Sequence, residues 1–369
     1  MNITELSSRW NPKKEFIIFG DYKLIPYLEL LNIKYIVDND EEKWEQSINS
    51  KYKIMNPKIL KSENNPQIIV ANKWGGSTQK IFDQLNDMGF EKNVNYISHK
   101  TIFILWKWII EKKKVLPYIE YIITNNCNFK CDNCILFMPI YKKKSNVSFE
   151  NIKKDIDILF DKIDELYTFR IVGGEPLLHP NLCEILEYIS HKYRNKITEF
   201  ELITNGSIMF NNKLINIIKE YDIFVHISNY TNEIDYSKKV DKLIYVFNEN
   251  IIKYENALPD KWGWKKVCHP AKSNDIQDIK ALFNNCLTHD RVLSDGKVFF
   301  CSMHNSAIKS GHYMKIKRDD YINLNEEIDI SEIIDFESGK ISKGYVSFCE
   351  NCFGIGSLNN TFVNPGKQL

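Results

Sequence analysis

The sequence has no long apolar run. Its most hydrophobic stretch, Thr101 to Ile110 (TIFILWKWII), is about half the length that spans a bilayer, and it carries Lys107. A buried or interfacial helix is expected there, not a membrane span. One-sided charge is also missing: the net charge is +1 over 369 residues. This excludes bulk attraction to nucleic acid or to an anionic membrane, and the KKK runs at 112–114 and 142–144 read as solvated loop or linker charge. The opening residues, MNITELSSRW, lack an apolar core and a small-residue cleavage site. A cytoplasmic location is therefore the expectation.

Cysteine, in contrast, is plentiful and grouped. Of nine cysteines, three lie at 127–134, one at 183, and five at 268, 286, 301, 349 and 352. Without a leader a disulfide framework is not expected, and grouped cysteines in a reducing compartment indicate metal binding. Cys183, in LCEILEYI, reads as a helix residue of the core.

The length predicts two or three domains. Residues 1–100 alternate short strands and helices. EFIIFG reads as a strand, YLELLNIK as a helix, and KYIVDND as a strand. They are followed by strand PQIIVAN, helix STQKIFDQLNDMGF and strand NVNYIS. Such βαβ alternation implies a parallel sheet. Gly20 and Asp38 stand where a dinucleotide fold keeps its first glycine and its ribose acid. The turn reads Gly20-Asp21-Tyr22-Lys23, however, and lacks the later glycines of G-x-G-x-x-G. A Rossmann-like recognition or structural module is expected.

Residues 101–117 read as a helical linker. From 118 to 262 a second βα series runs: strand YIEYIITN, helix FENIKKDIDILFDKIDEL capped by Ser148, strand TFRIVG, helix LCEILEYISHKY, strand TEFELITNG, helix NKLINIIKEY and strand IFVHISNY. The cysteine loop, GGEP, ITNGS and ISNY all fall at the C-terminal ends of strands, the face on which barrel folds carry their chemistry. Residues 263–369 form a cysteine-bearing region, with Asp295-Gly296 marking a hairpin.

The cysteine loop, NNCNFKCDNC, spaces Cys127, Cys131 and Cys134 as C-x3-C-x2-C. Three thiolates in one loop suffice for three irons of a [4Fe–4S] cube and leave the fourth open. Zinc is the competing occupant, but it needs a fourth ligand, and no histidine lies close in the sequence. With IVGGEPLLHP about forty residues on, the chain resembles the radical S-adenosylmethionine (SAM) superfamily. The resemblance implies a partial (β/α)6 TIM-like barrel within an α/β protein. It also implies a cluster whose open iron binds SAM, and a 5′-deoxyadenosyl radical that takes hydrogen from a substrate C–H bond. By the same resemblance Gly173, Gly174, Glu175 and Pro176 contact the methionyl end of SAM, and Asn205, Ser228 and Asn229 lie at the following strand ends. The position before the last cysteine is often aromatic in the family. Here it is Asn133, with Phe129 or Phe137 as substitutes against adenine.

Cys286, Cys301, Cys349 and Cys352, in the order C-x9-G-x4-C … C-x2-C, resemble the twitch extension, a short relative of the SPASM domain. They imply one auxiliary [4Fe–4S] cluster; a structural zinc ribbon uses the same sulfurs. Cys268 has three readings: auxiliary ligand, buried bystander, or hydrogen donor to a substrate radical. Among the histidines, His179, His226, His269 and His304 are candidates to touch substrate.

The Rossmann-like front domain joined to this core resembles radical SAM proteins of glycan pathways. A small, sugar-containing substrate is expected, oxidised or epimerised, with a flavodoxin or ferredoxin-type reductant. Two alternatives are a maturase of a ribosomally made peptide and a zinc-stabilised binding module without catalysis.

Overall fold

A computed structural model describes residues 3–25, 27–48, 51–72, 75–258, 264–267, 275–286, 290–356 and 358–369. The chain divides into two compact units, 1–117 with 329–338, and 118–328 with 339–369.

The first unit contains α1 (Ile3–Arg9), β1 (Glu15–Gly20), β2 (Asn32–Val37), β3 (Ser47–Ile48), β4 (Tyr52–Met55), β5 (Ile68–Ala71), α2 (Gly75–Asp87), β6 (Tyr96–Ser98) and α3 (His99–Trp106). Its sheet runs β3-β4-β2-β1-β5-β6, parallel except for the edge strand β3. Ile17, Phe19, Val37, Val70 and Leu85 share one core.

The helix expected at YLELLNIK is absent. Only a 3-10 turn forms, at Leu28–Leu30. Asn32 and Ile33 are taken by β2, where they pair with Glu15 and Phe16, so ladder hydrogen bonds displace the local helical preference. Gly20, at φ +104°, is required by packing: a Cβ there would stand 2.3 Å from the Ala71 carbonyl oxygen. Asp38 is engaged by Lys43 at 2.9 Å. The apolar stretch at 101 begins as α3, buried from Thr101 to Trp106, and continues into a π-helical turn, Lys107–Glu111. Both lie inside the first unit. Among the described residues no helix is long and apolar enough to cross a membrane.

The second unit opens with β7 (Val115–Ile122), α4 (Phe149–Lys162), β8 (Glu165–Val172), α5 (Leu182–Tyr193), β9 (Ile197–Thr204), α6 (Asn212–Glu220), β10 (Phe224–Ser228), α7 (Ser237–Glu249) and β11 (Tyr254–Ala257). After these come α8 (Ile276–Asn285), β12 (Val292–Ser294), β13 (Lys297–Phe299), α9 (Ser302–Lys309) and β14 (Tyr321–Asn323); α10 (Ile330–Glu337) belongs to the first unit. The sheet order is β11-β10-β9-β8-β7-β12-β13-β14. Strands β7 to β11 follow one another in sequence order, with α4 to α7 as crossovers, as in a partial barrel. The next described strand, β12, joins the opposite edge, parallel to β7.

Ser148 caps α4 by accepting from Asn151 N at 3.3 Å. The helix buries Ile152, Ile156, Leu159 and Phe160 along one stripe. Its Asp155 is also buried, and accepts from Tyr121 Oη at 2.8 Å and from the backbone N–H groups of Asp295 and Gly296 at 3.0 and 2.8 Å. Those two residues form the expected hairpin turn between β12 and β13, both at positive φ.

Candidate active site

The cysteine loop leaves the C-terminal end of β7 and lies directly against the segment that leaves β8. Gly174 N donates to Thr124 O at 2.9 Å, and Glu175 N donates to Asn126 O at 2.7 Å. A Cβ on Gly174 would stand 2.2 Å from Asn126 O and 2.8 Å from Cys127 Cβ; one on Gly173 would meet Thr124 at 2.8 Å. In this structure, then, the close approach these glycines permit is to the chain's own cysteine loop.

Glu175 is fully buried. Its carboxylate accepts from Thr204 Oγ1 at 2.9 Å, Asn205 N at 2.8 Å and Leu177 N at 3.1 Å. It thereby ties the ends of β8 and β9 together, and Pro176 opens the short 3-10 turn that it caps. A third tie comes from the cysteine loop itself. Asn128 Nδ2 donates to Ser207 Oγ at 2.7 Å, while Asn205 Nδ2 donates to Asn128 Oδ1 at 2.9 Å. Asn229 is likewise engaged within the protein, donating to Asn256 Oδ1 at 3.0 Å and accepting from Thr231 N at 2.9 Å. Ser228, half-buried at the end of β10, hydrogen-bonds Tyr230.

Burial pushes the Glu175 carboxyl up to about 7 from an ordinary 4.5, against the pull of its three donors. A raised carboxyl favours folding in its protonated form. Its contribution is therefore complete below about pH 4.5 and lost as pH rises through about 7, on the order of 3 kcal/mol in all. Denaturation midpoints measured across this window are expected to fall with rising pH in the native chain. In Glu175→Gln that component of the slope should be gone.

The three sulfurs suit an iron–sulfur cluster. Burial raises all three thiols, Cys127 to about 12, and the neighbouring sulfurs raise Cys127 and Cys131 further. Hydrogen bonds to sulfur work in the opposite direction. Phe129 N reaches Cys127 Sγ at 3.4 Å, Gln368 Nε2 reaches Cys131 Sγ at 3.3 Å, and backbone groups of Met138, Leu136 and Phe137 reach Cys134. Half-buried thiols that crowd one another and are met by N–H donors form a site made for thiolates on a cationic centre. Among the described residues no three His, Cys, Asp or Glu side chains come close enough to chelate a single ion. One zinc would draw its sulfurs to bonds of about 2.3 Å; a four-iron cube holds them further apart.

Cys286, Cys301, Cys349 and Cys352 also converge. Burial raises the Cys301, Cys349 and Cys352 thiols, and Cys286, at the end of α8, raises all three further. Gly354 N donates to Cys352 Sγ at 3.2 Å, and Ile355 N donates to Cys286 Sγ at 3.5 Å. A Cβ on Gly356 would stand 2.1 Å from Asn285 O, so this turn sits tightly on α8. The four sulfurs fit an auxiliary cluster, and the eight described cysteines are free of disulfides.

Other candidates are placed differently from expectation. Cys268 and His269 lie outside the described residues. Phe137 is not available to stack on adenine: it is buried against His312 and Phe348, with ring centroids at 5.5 and 6.0 Å. Phe129 packs on Tyr236 at 5.3 Å. Asn133 has φ 58°, a left-handed position that asparagine tolerates better than an aromatic residue. His179 is structural, bonded to Val147 O and Asn181 N, and His304 is buried with Nε2 at Lys315 O. Cys183 is half-buried rather than in the core.

Sequence reasoning missed a polar layer one step below these loops. Tyr121 bonds Asp155 of α4, and Phe169 packs on Phe160 of α4, so their strand neighbours point away from the helices. On that inner face Tyr118 Oη donates to Glu120 at 2.6 Å, and Arg170 Nη1 donates to Tyr118 Oη at 2.9 Å. Arg170 pairs with Glu201, and His226 lies between Glu201 at 3.4 Å and Glu255 at 3.1 Å. Burial, then nearby Asp290, pushes the Glu120 carboxyl upward. The signal was present as one titratable residue, Glu120, Arg170, Glu201 or His226, set among mostly apolar neighbours in each strand: YIEYI, TFRIV, FELIT and FVHIS.

Residues 121–244 match the Radical SAM superfamily. The subtilosin biosynthesis protein AlbA of Bacillus subtilis is 36% identical over 99 residues, 27% of this chain and 20% of that protein. An uncharacterised protein of Methanocaldococcus jannaschii is 36% identical over 155 residues, 42% of this chain and 48% of its own length. The chain thus spans a fifth to about half of these curated relatives. Among solved structures, BtrN in complex with AdoMet and 2-DOIA aligns at TM-score 0.41 and 19% identity, over 65% of this chain and 94% of that one.

Proposed function

We propose, from the radical SAM domain at residues 121–244 as premise, that this chain activates a C–H bond of a polar, sugar-containing substrate, ending in oxidation or epimerisation. The residues that would hold the first cluster are Cys127, Cys131 and Cys134, with Cys286, Cys301, Cys349 and Cys352 for the auxiliary one. When bound, a reduced cluster and SAM supply a 5′-deoxyadenosyl radical that takes a hydrogen atom from carbon, with a flavodoxin or ferredoxin-type protein as electron source.

The observation that carries the substrate class is the inner layer of Tyr118, Glu120, Arg170, Glu201, His226 and Glu255. A barrel interior that serves only packing is filled by branched apolar side chains. Half-buried ions are costly unless paired or used. Here donors and acceptors alternate around one layer just below the cysteine loop, an arrangement suited to hydroxyl groups. The segments that hold SAM would be those leaving β8, β9 and β10. Backbone atoms are the readier donors and acceptors, because the Glu175 and Asn229 side chains already bond within the protein.

The test is anaerobic incubation with SAM, dithionite and nucleotide sugars, reading 5′-deoxyadenosine. Oxidised product formed together with it indicates dehydrogenation; solvent deuterium at carbon indicates epimerisation. Arg170→Met should raise KM for the sugar at least about tenfold, or about 1.4 kcal/mol, while iron content and slow SAM cleavage without substrate stay unchanged. An unaltered KM would remove the inner layer from substrate binding. A peptide substrate is the second reading. It draws on the likeness to AlbA, a protein named for bacteriocin biosynthesis, and turnover of peptides but not sugars would establish it.

A further inference from the structure

The segment Gly366–Leu369 lies across the cysteine loop as a strap. Asp132 N donates to Lys367 O at 2.6 Å, and Leu369 N donates to Lys130 O at 2.9 Å. Cys131 and Gln368 face each other as an antiparallel bridge. Gly366 anchors the strap at φ 79°, against Tyr230, where a Cβ would come within 2.8 Å of the Tyr230 side chain. Only glycine fits there without displacing that ring.

The Gln368 amide is held in one orientation. Its Oε1 accepts from Lys130 N at 2.7 Å, which places Nε2 on the opposite side. From there Nε2 donates to Gly366 O at 2.6 Å and to Cys131 Sγ at 3.3 Å. Both amide hydrogens are therefore used, one to set the strap and one on the sulfur. An N–H donor to a ligand sulfur stabilises the more negative, reduced state of an iron–sulfur cluster and raises its potential.

We infer that Gln368 is a positioning residue that sets the reduction potential of the cluster carried by Cys127, Cys131 and Cys134, by donating a hydrogen bond to the Cys131 sulfur from a strap folded over the loop. The inference rests on the reading of those cysteines as cluster ligands. The strap is held by backbone bonds, so exchange of the side chain should leave it seated. Gln368→Glu keeps the acceptor at Lys130 N but replaces the donor with an anion; Gln368→Met keeps the length without a donor.

The experiment is a redox titration followed by electron paramagnetic resonance on the full chain. Iron is assayed alongside, and the cluster of interest is recognised by the change its signal undergoes when SAM is added. Both variants should retain native iron and titrate at lower potential. The expected shift for Gln368→Glu is on the order of tenfold in the one-electron equilibrium, about 59 mV, and smaller for Gln368→Met. Native midpoints in both variants would overturn the inference. So would loss of iron from both, since the strap would then retain the cluster and not tune it. A native chain that takes up no iron would instead remove the reading of the cysteine loop itself.

Discussion

Replacing Cys127 by alanine is expected to reduce SAM cleavage at least about a thousandfold, roughly 4 kcal/mol in barrier terms. The reason is the donor count. The loop supplies three sulfurs at one end of one strand, the number that a cube with one open corner requires. Two sulfurs cannot hold a cube that leaves one corner for SAM. The loss should be selective. About half the iron should leave with Cys127→Ala, because Cys286, Cys301, Cys349 and Cys352 form a separate set. Cys349→Ala should remove the other half and leave SAM cleavage in place. Zinc in place of iron in the anaerobically reconstituted chain, with no cleavage, would support a binding module and sink the enzyme reading.

Gly174→Ala is expected to be nearly as damaging, by a different route. The added methyl would sit 2.2 Å from Asn126 O and 2.8 Å from Cys127 Cβ. Neither neighbour is the free end of a flexible side chain. Overpacking typically costs about 1–3 kcal/mol, and here the strain falls on the joint that holds the cysteine loop to β8. Iron uptake should drop severalfold, with a lower melting temperature in the metal-free chain. The comparison is Gly89→Ala, where nothing lies within 4 Å of the added carbon and the cost is only the backbone strain of φ +86°; there, melting should fall but iron uptake should match the native chain. Equal iron in Gly174→Ala would show that the loop and β8 do not need this contact.

Much of the site was legible because its chemistry is local. Cys127, Cys131 and Cys134 follow one strand within eight residues, so spacing alone placed them in one loop. GGEP followed the next strand, and Asp295-Gly296 announced its own turn. What distance along the chain obscured was how such pieces meet. The partners of the Glu175 carboxylate include Thr204 and Asn205, at the end of the next strand, which GGEP alone did not reveal. Phe137 read as a stacking partner and is instead packed on His312 and Phe348. YLELLNIK read as a helix, but pairing with β1 claimed its last three residues for β2.

By itself the sequence determined the residue types and their order: clustered thiols, glycines at strand ends, and a titratable residue set within each of several apolar strands. These follow from short-range spacing and from the two-residue period of a strand. The tertiary structure alone decided which carboxylate faces inward, which strands bring Tyr118, Arg170, Glu201 and His226 into one layer, and that Gln368 reaches a sulfur 237 residues away. Parallel pairing and close backbone approach join segments far apart in the chain, and those distances are set by packing, which no local pattern encodes.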